Sequence, residues 1–101
     1  MSYRIIWQPK AELTYYEEAD FILRKWNFDE VQKFQNLVSD NLMRLSENPS
    51  IGEFSKKFGV YRIVISKQTS LYYSFNEKLR VIDLHIFWNN LKNPEDLAKF
   101  V

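Results

Sequence analysis

The chain has no cysteine and a single histidine. The first absence excludes disulfides, thiolate metal ligands and a cysteine nucleophile, and it permits a reducing compartment. The second excludes an ordinary multi-histidine metal site. Only 2 glycines and 3 prolines are present, too few for a low-complexity or disordered segment. There is no glycine-rich phosphate loop, no G-x-S-x-G serine elbow and no metal-ligand spacing. No apolar run approaches the about 18 residues of a membrane span. The opening stretch, Met1 to Lys10, lacks the basic-then-apolar order of a secretory signal. These absences predict a cytoplasmic protein with no membrane partner, no metal and no cofactor.

Hydrophobic residues make up 46% and aromatic residues 17% of the 101 positions. That is enough for one domain, residues 1–101, to bury a core without staples. The net charge of +1 conceals an asymmetry. Residues 1–53 carry six basic and nine acidic side chains, and residues 54–101 carry eight and four. A basic second half suits an anionic partner.

Tyr3-Arg4-Ile5-Ile6-Trp7 is β-branched and aromatic and predicts a strand. Pro9 then opens a helical pattern through Leu13, Tyr16, Ala19, Ile22 or Leu23, and Trp26. Glu17 and Glu18 on it read as solvated surface, and of Tyr15 and Tyr16 one ring belongs in the core. Asn27 followed by Glu30 has the form of a capping box. The second helical pattern it opens, through Val31, Phe34, Leu37 or Val38, Leu42 and Leu45, stops at Asn48-Pro49. So short a connection predicts an antiparallel helical hairpin. Residues 49–59 read as a loop. Three strands follow with short polar separators: Tyr61 to Ile65, Ser70 to Phe75, and Leu79 to Trp88. Asn93-Pro94 predicts a last helical turn. The expected fold class is α+β in the order β-α-α-β-β-β, with the helical hairpin packed on an antiparallel meander.

Alternation splits each strand into two faces. Tyr61, Ile63, Ile65, Leu71, Tyr73, Phe75, Ile82, Leu84, Ile86 and Trp88 form an apolar set that should meet the helices. The other face gathers Arg62, Ser66, Ser70, Tyr72, Ser74, Asp83, His85 and Phe87, with Lys56, Lys57 and Lys67 in adjoining loops. A half-solvated sheet shows polar residues outward in any case. The set also has the types needed for RNA cleavage by its own 2′-hydroxyl. Cations such as Arg62, Lys56 and Lys57 stabilise charge on phosphate, and His85 or Tyr72 moves the proton. The alternatives are structural: His85 satisfied by Asp83 or a backbone group, Arg62 paired with Asp83, and Lys56-Lys57 as solvated loop.

Several pieces in order resemble the RelE/ParE superfamily of type II toxin–antitoxin toxins. They are W-x-P-x-A (Trp7, Pro9, Ala11), L-x-x-N-P-x-I-G (Leu45, Asn48, Pro49, Ile51, Gly52), G-x-x-R (Gly59, Arg62), the aromatic strand Ser70 to Phe75, a last strand ending Phe87-Trp88, and N-P-E-D-L from Asn93. The resemblance implies a compact toxin neutralised by a cognate antitoxin. RelE-like members cleave mRNA on the ribosome, whereas ParE-like members inhibit DNA gyrase by binding. It implies a role for Arg62, the sheet arginine of both branches, and for Lys56 and Lys57 in the preceding loop. Lys67, Asn89, Asn90 and Lys92 are candidate RNA- or target-binding residues. Leu91 stands where many relatives have an arginine, with Lys92 one position along, although lysine cannot reproduce bidentate guanidinium contacts.

Overall fold

The computed structural model describes residues 2–99. In chain order these form β1 (Arg4–Trp7), α1 (Pro9–Lys25), α2 (Phe28–Glu47), a 3-10 turn (Pro49–Ile51), β2 (Glu53–Ser55), β3 (Val60–Val64), β4 (Thr69–Asn76), β5 (Val81–Asn89) and a terminal 3-10 helix (Pro94–Lys99). The five strands make one sheet in the order β1-β5-β4-β3-β2. The pairs from β2 to β5 are antiparallel, and β1 lies parallel to β5 with Arg4 opposite Val81. The α+β architecture is as expected, with a mixed sheet. Residues 53–55, expected in a loop, form β2 and extend the sheet beyond β3, with Glu53 opposite Arg62.

Local signals explain where the helices start and stop. Pro9 opens α1, where its missing N–H costs nothing, and Arg24 and Lys25 close it against the helix dipole. The Asn27 side chain accepts a hydrogen bond from the Glu30 N–H at 3.0 Å and caps α2. Both helices cover one face of the sheet. Val31, Phe34, Val38 and Leu45 of α2 and Ala11 and Ile22 of α1 pack against Ile63, Leu71, Tyr73, Ile82, Leu84 and Phe87.

The buried stripe of α1 is not the predicted one. Leu13, Tyr16, Leu23 and Trp26 are exposed, and Ala11, Thr14, Glu18 and Ile22 are buried. Two of those four are polar because they serve the sheet. The Thr14 hydroxyl accepts the Phe87 N–H at 2.9 Å, where β5 runs on past the end of β1. Glu18, expected on the surface, takes a hydrogen bond from the Thr69 hydroxyl at 2.7 Å. Unsatisfied strand-edge groups thus draw polar side chains to the interface. Tyr15 is half-buried and Tyr16 exposed, as the paired aromatics predicted.

A β-bulge in β5 decides what the open face carries. Tyr73 pairs with Leu84 and Tyr72 with Ile86, so His85 stands between them with no cross-strand partner. The extra residue reverses the alternation of everything after it. Phe87, expected on the polar face, is in the helix-facing core. Ile86 and Trp88, expected in that core, lie on the open face with Val60, Tyr72 and Leu97.

Candidate functional site

The open face is built mainly from β3, β4 and β5. Arg62 on β3 is directly opposite Tyr72 on β4, which is opposite Ile86 on β5. Ser70 and Trp88 are paired one step along. At this end of the sheet Arg62, Lys67, Tyr72, Trp88, Asn90 and Lys92 line a cleft of about 500 Å³. Its lower boundary is an apolar cluster in which Leu97 of the terminal 3-10 helix is 1% exposed, packed with Val60, Tyr72, Ile86 and Trp88. Burial of such a leucine side chain contributes roughly 1.5–3 kcal/mol, and it holds the terminal 3-10 helix in the cluster that contains Tyr72 and Trp88.

The tail after β5 is folded by its own amides. Asn90 is tied to the β3–β4 turn: its backbone N–H donates to the Gln68 carbonyl at 2.6 Å, and its side chain accepts from the Ser70 hydroxyl at 3.0 Å. Asn93 caps the terminal 3-10 helix through the Glu95 N–H at 3.0 Å. Lys92 returns over the cleft with its ammonium 5.5 Å from the Trp88 ring centroid, in cation–π range.

Among the described residues the cations of the cleft have no carboxylate partners. The ion pairs there join Arg24 to Asp20, Lys33 to Glu30 and Lys99 to Asp96, all within one turn of helix. The Arg62 guanidinium makes no side-chain hydrogen bond or ion pair with a described residue, although Glu53 stands opposite it on β2. Asp83, the partner expected for it, instead accepts from the Gln8 side-chain amide at 2.9 Å. The Tyr72 ring is buried, but its hydroxyl has no partner among the described residues and is not walled off from solvent. The cleft therefore offers three positive charges, a free phenol and an indole. Such a set suits an anion carrying a flat ring.

The structure thus brings together Arg62, Tyr72, Lys67, Asn90 and Lys92 and leaves the other nominated residues outside. Lys56 and Lys57 are exposed on the β2–β3 turn. Lys57 lies 5.4 Å from the Phe58 ring centroid, and Phe58 in turn meets Tyr72 edge-on. His85 is at the bulge, outside the cleft lining, with Nε2 2.7 Å from the Ser74 hydroxyl. Burial lowers its pKa below the usual histidine value, and the nearby Asp83 carboxylate opposes that shift. Asn89 is buried, and its side-chain oxygen accepts the Leu91 N–H at 2.9 Å. Leu91 is exposed in a separate hollow beside Glu17, Glu18, Phe21 and Arg24. Trp88 is the cleft residue that alternation misplaced. The bulge at His85 shifts the phase of β5 before Trp88, and no local pattern in the sequence marks it.

No protein-family model matches the chain. A comparison with curated proteins also finds no match. Among solved structures the chain is similar to the E. coli toxin RelE, in a double arginine-to-alanine mutant in the free state. The TM-score is 0.64 at 16% identity, over 99% of this chain and 95% of that one. The chain has the fold of the RelE toxin.

Proposed function

We propose that this protein is the toxin of a type II toxin–antitoxin system and that it arrests growth by cleaving mRNA on the ribosome, without a metal. The observation that carries the reading is the cleft on the open face, where Arg62, Lys67 and Lys92 line the space around Tyr72 and Trp88 and form no ion pair among the described residues. The fold shared with RelE supports it. A cognate antitoxin that covers the toxin belongs to the same reading.

The chemistry follows from what an RNA phosphodiester requires. The 2′-oxygen attacks the adjacent phosphorus, the bond from phosphorus to O5′ breaks, and the products are a 2′,3′-cyclic phosphate and a 5′-hydroxyl. Negative charge builds on the non-bridging oxygens, and a guanidinium with two parallel donors answers it. Arg62 takes this role because its donors are not engaged elsewhere. The Tyr72 hydroxyl, on the strand directly opposite, is placed to exchange a proton with the reacting oxygens. Lys67 and Lys92 hold flanking phosphates. His85 is not given the proton-transfer role, since its imidazole is engaged with Ser74 outside the cleft.

The test is Arg62→Ala in a growth assay and in a translating extract. The expected result is loss of growth arrest, with cleavage lowered about 100- to 1,000-fold, as for removal of one charge-stabilising donor. Growth arrest that persists without cleavage refutes the nuclease reading. Inhibition of DNA supercoiling by the purified chain would then support the gyrase alternative.

A further inference from the structure

We propose that the groove between the helical hairpin and the β3–β4 turn is a second nucleotide subsite, which takes the base next to the one held in the cleft. The inference rests on the reading of the cleft as an RNA site and extends that site around the edge of the molecule. The groove encloses about 270 Å³, with Ile22, Trp26, Phe34 and Leu37 as its apolar lining and Lys33, Lys67 and Gln68 among its polar residues. Lys67 also lines the cleft on the open face. One lysine thus stands between the two hollows, where the phosphate joining two consecutive nucleotides would have to pass.

The chemistry of the groove matches a nucleobase. Trp26 is 43% exposed and Leu37 40% exposed, so a flat aromatic surface and an aliphatic wall are left open to solvent. Base stacking on such a surface tolerates any sequence, because every base has a π-face. The Gln68 backbone is engaged through its N–H to the Ser66 hydroxyl and through its carbonyl to Asn90, while its side-chain amide has no partner among the described residues. An amide with both donor and acceptor unused can read a base edge. The charge around the groove is positive. Lys25 lies 4.8 Å from the Trp26 ring centroid, Lys67 has no ion pair among the described residues, and Glu30 offsets Lys33 at 3.1 Å. Continuity with the cleft through Lys67, together with this charge, favours a single RNA strand over a protein segment as occupant.

The experiment is fluorescence anisotropy with the purified chain, using a labelled single ribonucleotide, which can fill one subsite only, and a labelled single-stranded RNA of about 8 nucleotides, which can fill both. Trp26→Leu keeps an aliphatic surface but removes the stacking ring. It should weaken binding of the oligomer about 5- to 100-fold and leave that of the single ribonucleotide unchanged. Gln68→Ala should act in the same direction, again on the oligomer alone. Arg62→Ala should weaken both. If Trp26→Leu binds the oligomer as the natural chain does while Arg62→Ala weakens both, the second subsite is overturned and the cleft reading stands. If neither probe binds the natural chain, the second subsite is overturned, and the cleft reading stands or falls on Arg62→Ala in the translating extract.

Discussion

Tyr73→Phe tests how the sheet holds its outer edge, and its cost can be worked from two hydrogen bonds. The Tyr73 ring is fully buried in the centre of β4. Its hydroxyl donates to the Pro49 carbonyl at 2.7 Å and accepts the Gly52 N–H at 3.0 Å. These bonds tie β4 to the corner from which β2 departs, and β2 flanks Arg62. Removing one oxygen deletes both and leaves a buried carbonyl without a partner. Each bond contributes about 1 kcal/mol, and a stranded buried group costs about 1–3 kcal/mol. The expected loss is about 2–4 kcal/mol, which lowers Tm by roughly 10–25 °C for a domain of this size. Urea unfolding followed by circular dichroism measures it. A second arm uses pH. Burial pushes the Tyr73 phenol from 10.0 up to about 12, with the Gly52 N–H opposing the shift. The unfolded chain therefore gives up this proton first as pH rises. The stabilisation is complete below pH 10 and is lost through about 12, and Tyr73→Phe should flatten that alkaline decline. A loss below about 0.5 kcal/mol, the range of an ordinary surface substitution, would refute the assignment of both bonds.

Three further outcomes follow from other parts of the structure. Gly52→Ala should destabilise the chain by about 1–3 kcal/mol in denaturant titration, since a Cβ there meets the Tyr73 hydroxyl and comes within 2.8 Å of the Arg62 carbonyl. His85 has its pKa lowered by burial, so its neutral form is favoured by folding; stability should fall as pH drops below 6.5, and the fall should be smaller in His85→Gln. Leu91→Arg should leave growth arrest unchanged and stability within about 0.5 kcal/mol, because Leu91 faces Glu17 and Glu18 beside α1 and not the cleft. A gain of toxicity in that variant would show that the tail reaches the site by another path.

Element order was legible because each element carries its own local signal. Asn27 and Glu30, Pro9, and the polar separators before Thr69 and Val81 all mark boundaries within a few residues. β2 was not legible: three residues, Glu53-Phe54-Ser55, are too few to show a period, and the strand exists through its pairing with β3. The buried face of α1 was misread for a related reason. Thr14 and Glu18 are polar, and only the strand groups they serve, far away in sequence, explain their burial. At the site, charge and residue type picked out Arg62, Tyr72, Lys67, Asn90 and Lys92, since alternation along β3 and β4 is regular. Along β5 it is regular only as far as Leu84, so Trp88 was assigned to the wrong layer. Asn89, nominated with the other tail amides, is buried at the end of β5, where its side chain serves the turn that ends the strand.

The bulge also makes one codon nearly dispensable to the layering of the sheet. Tyr73 already pairs with Leu84 and Tyr72 with Ile86, so deleting position 85 would join two consecutive rungs into a regular ladder. Ile86 and Trp88 would stay on the open face and Phe87 in the helix-facing core, because alternation from Leu84 then runs without a break. What the deletion removes is the local kink and the contact between the imidazole and Ser74. For library design, position 85 is therefore the place on β5 where a shortened strand should be tolerated best.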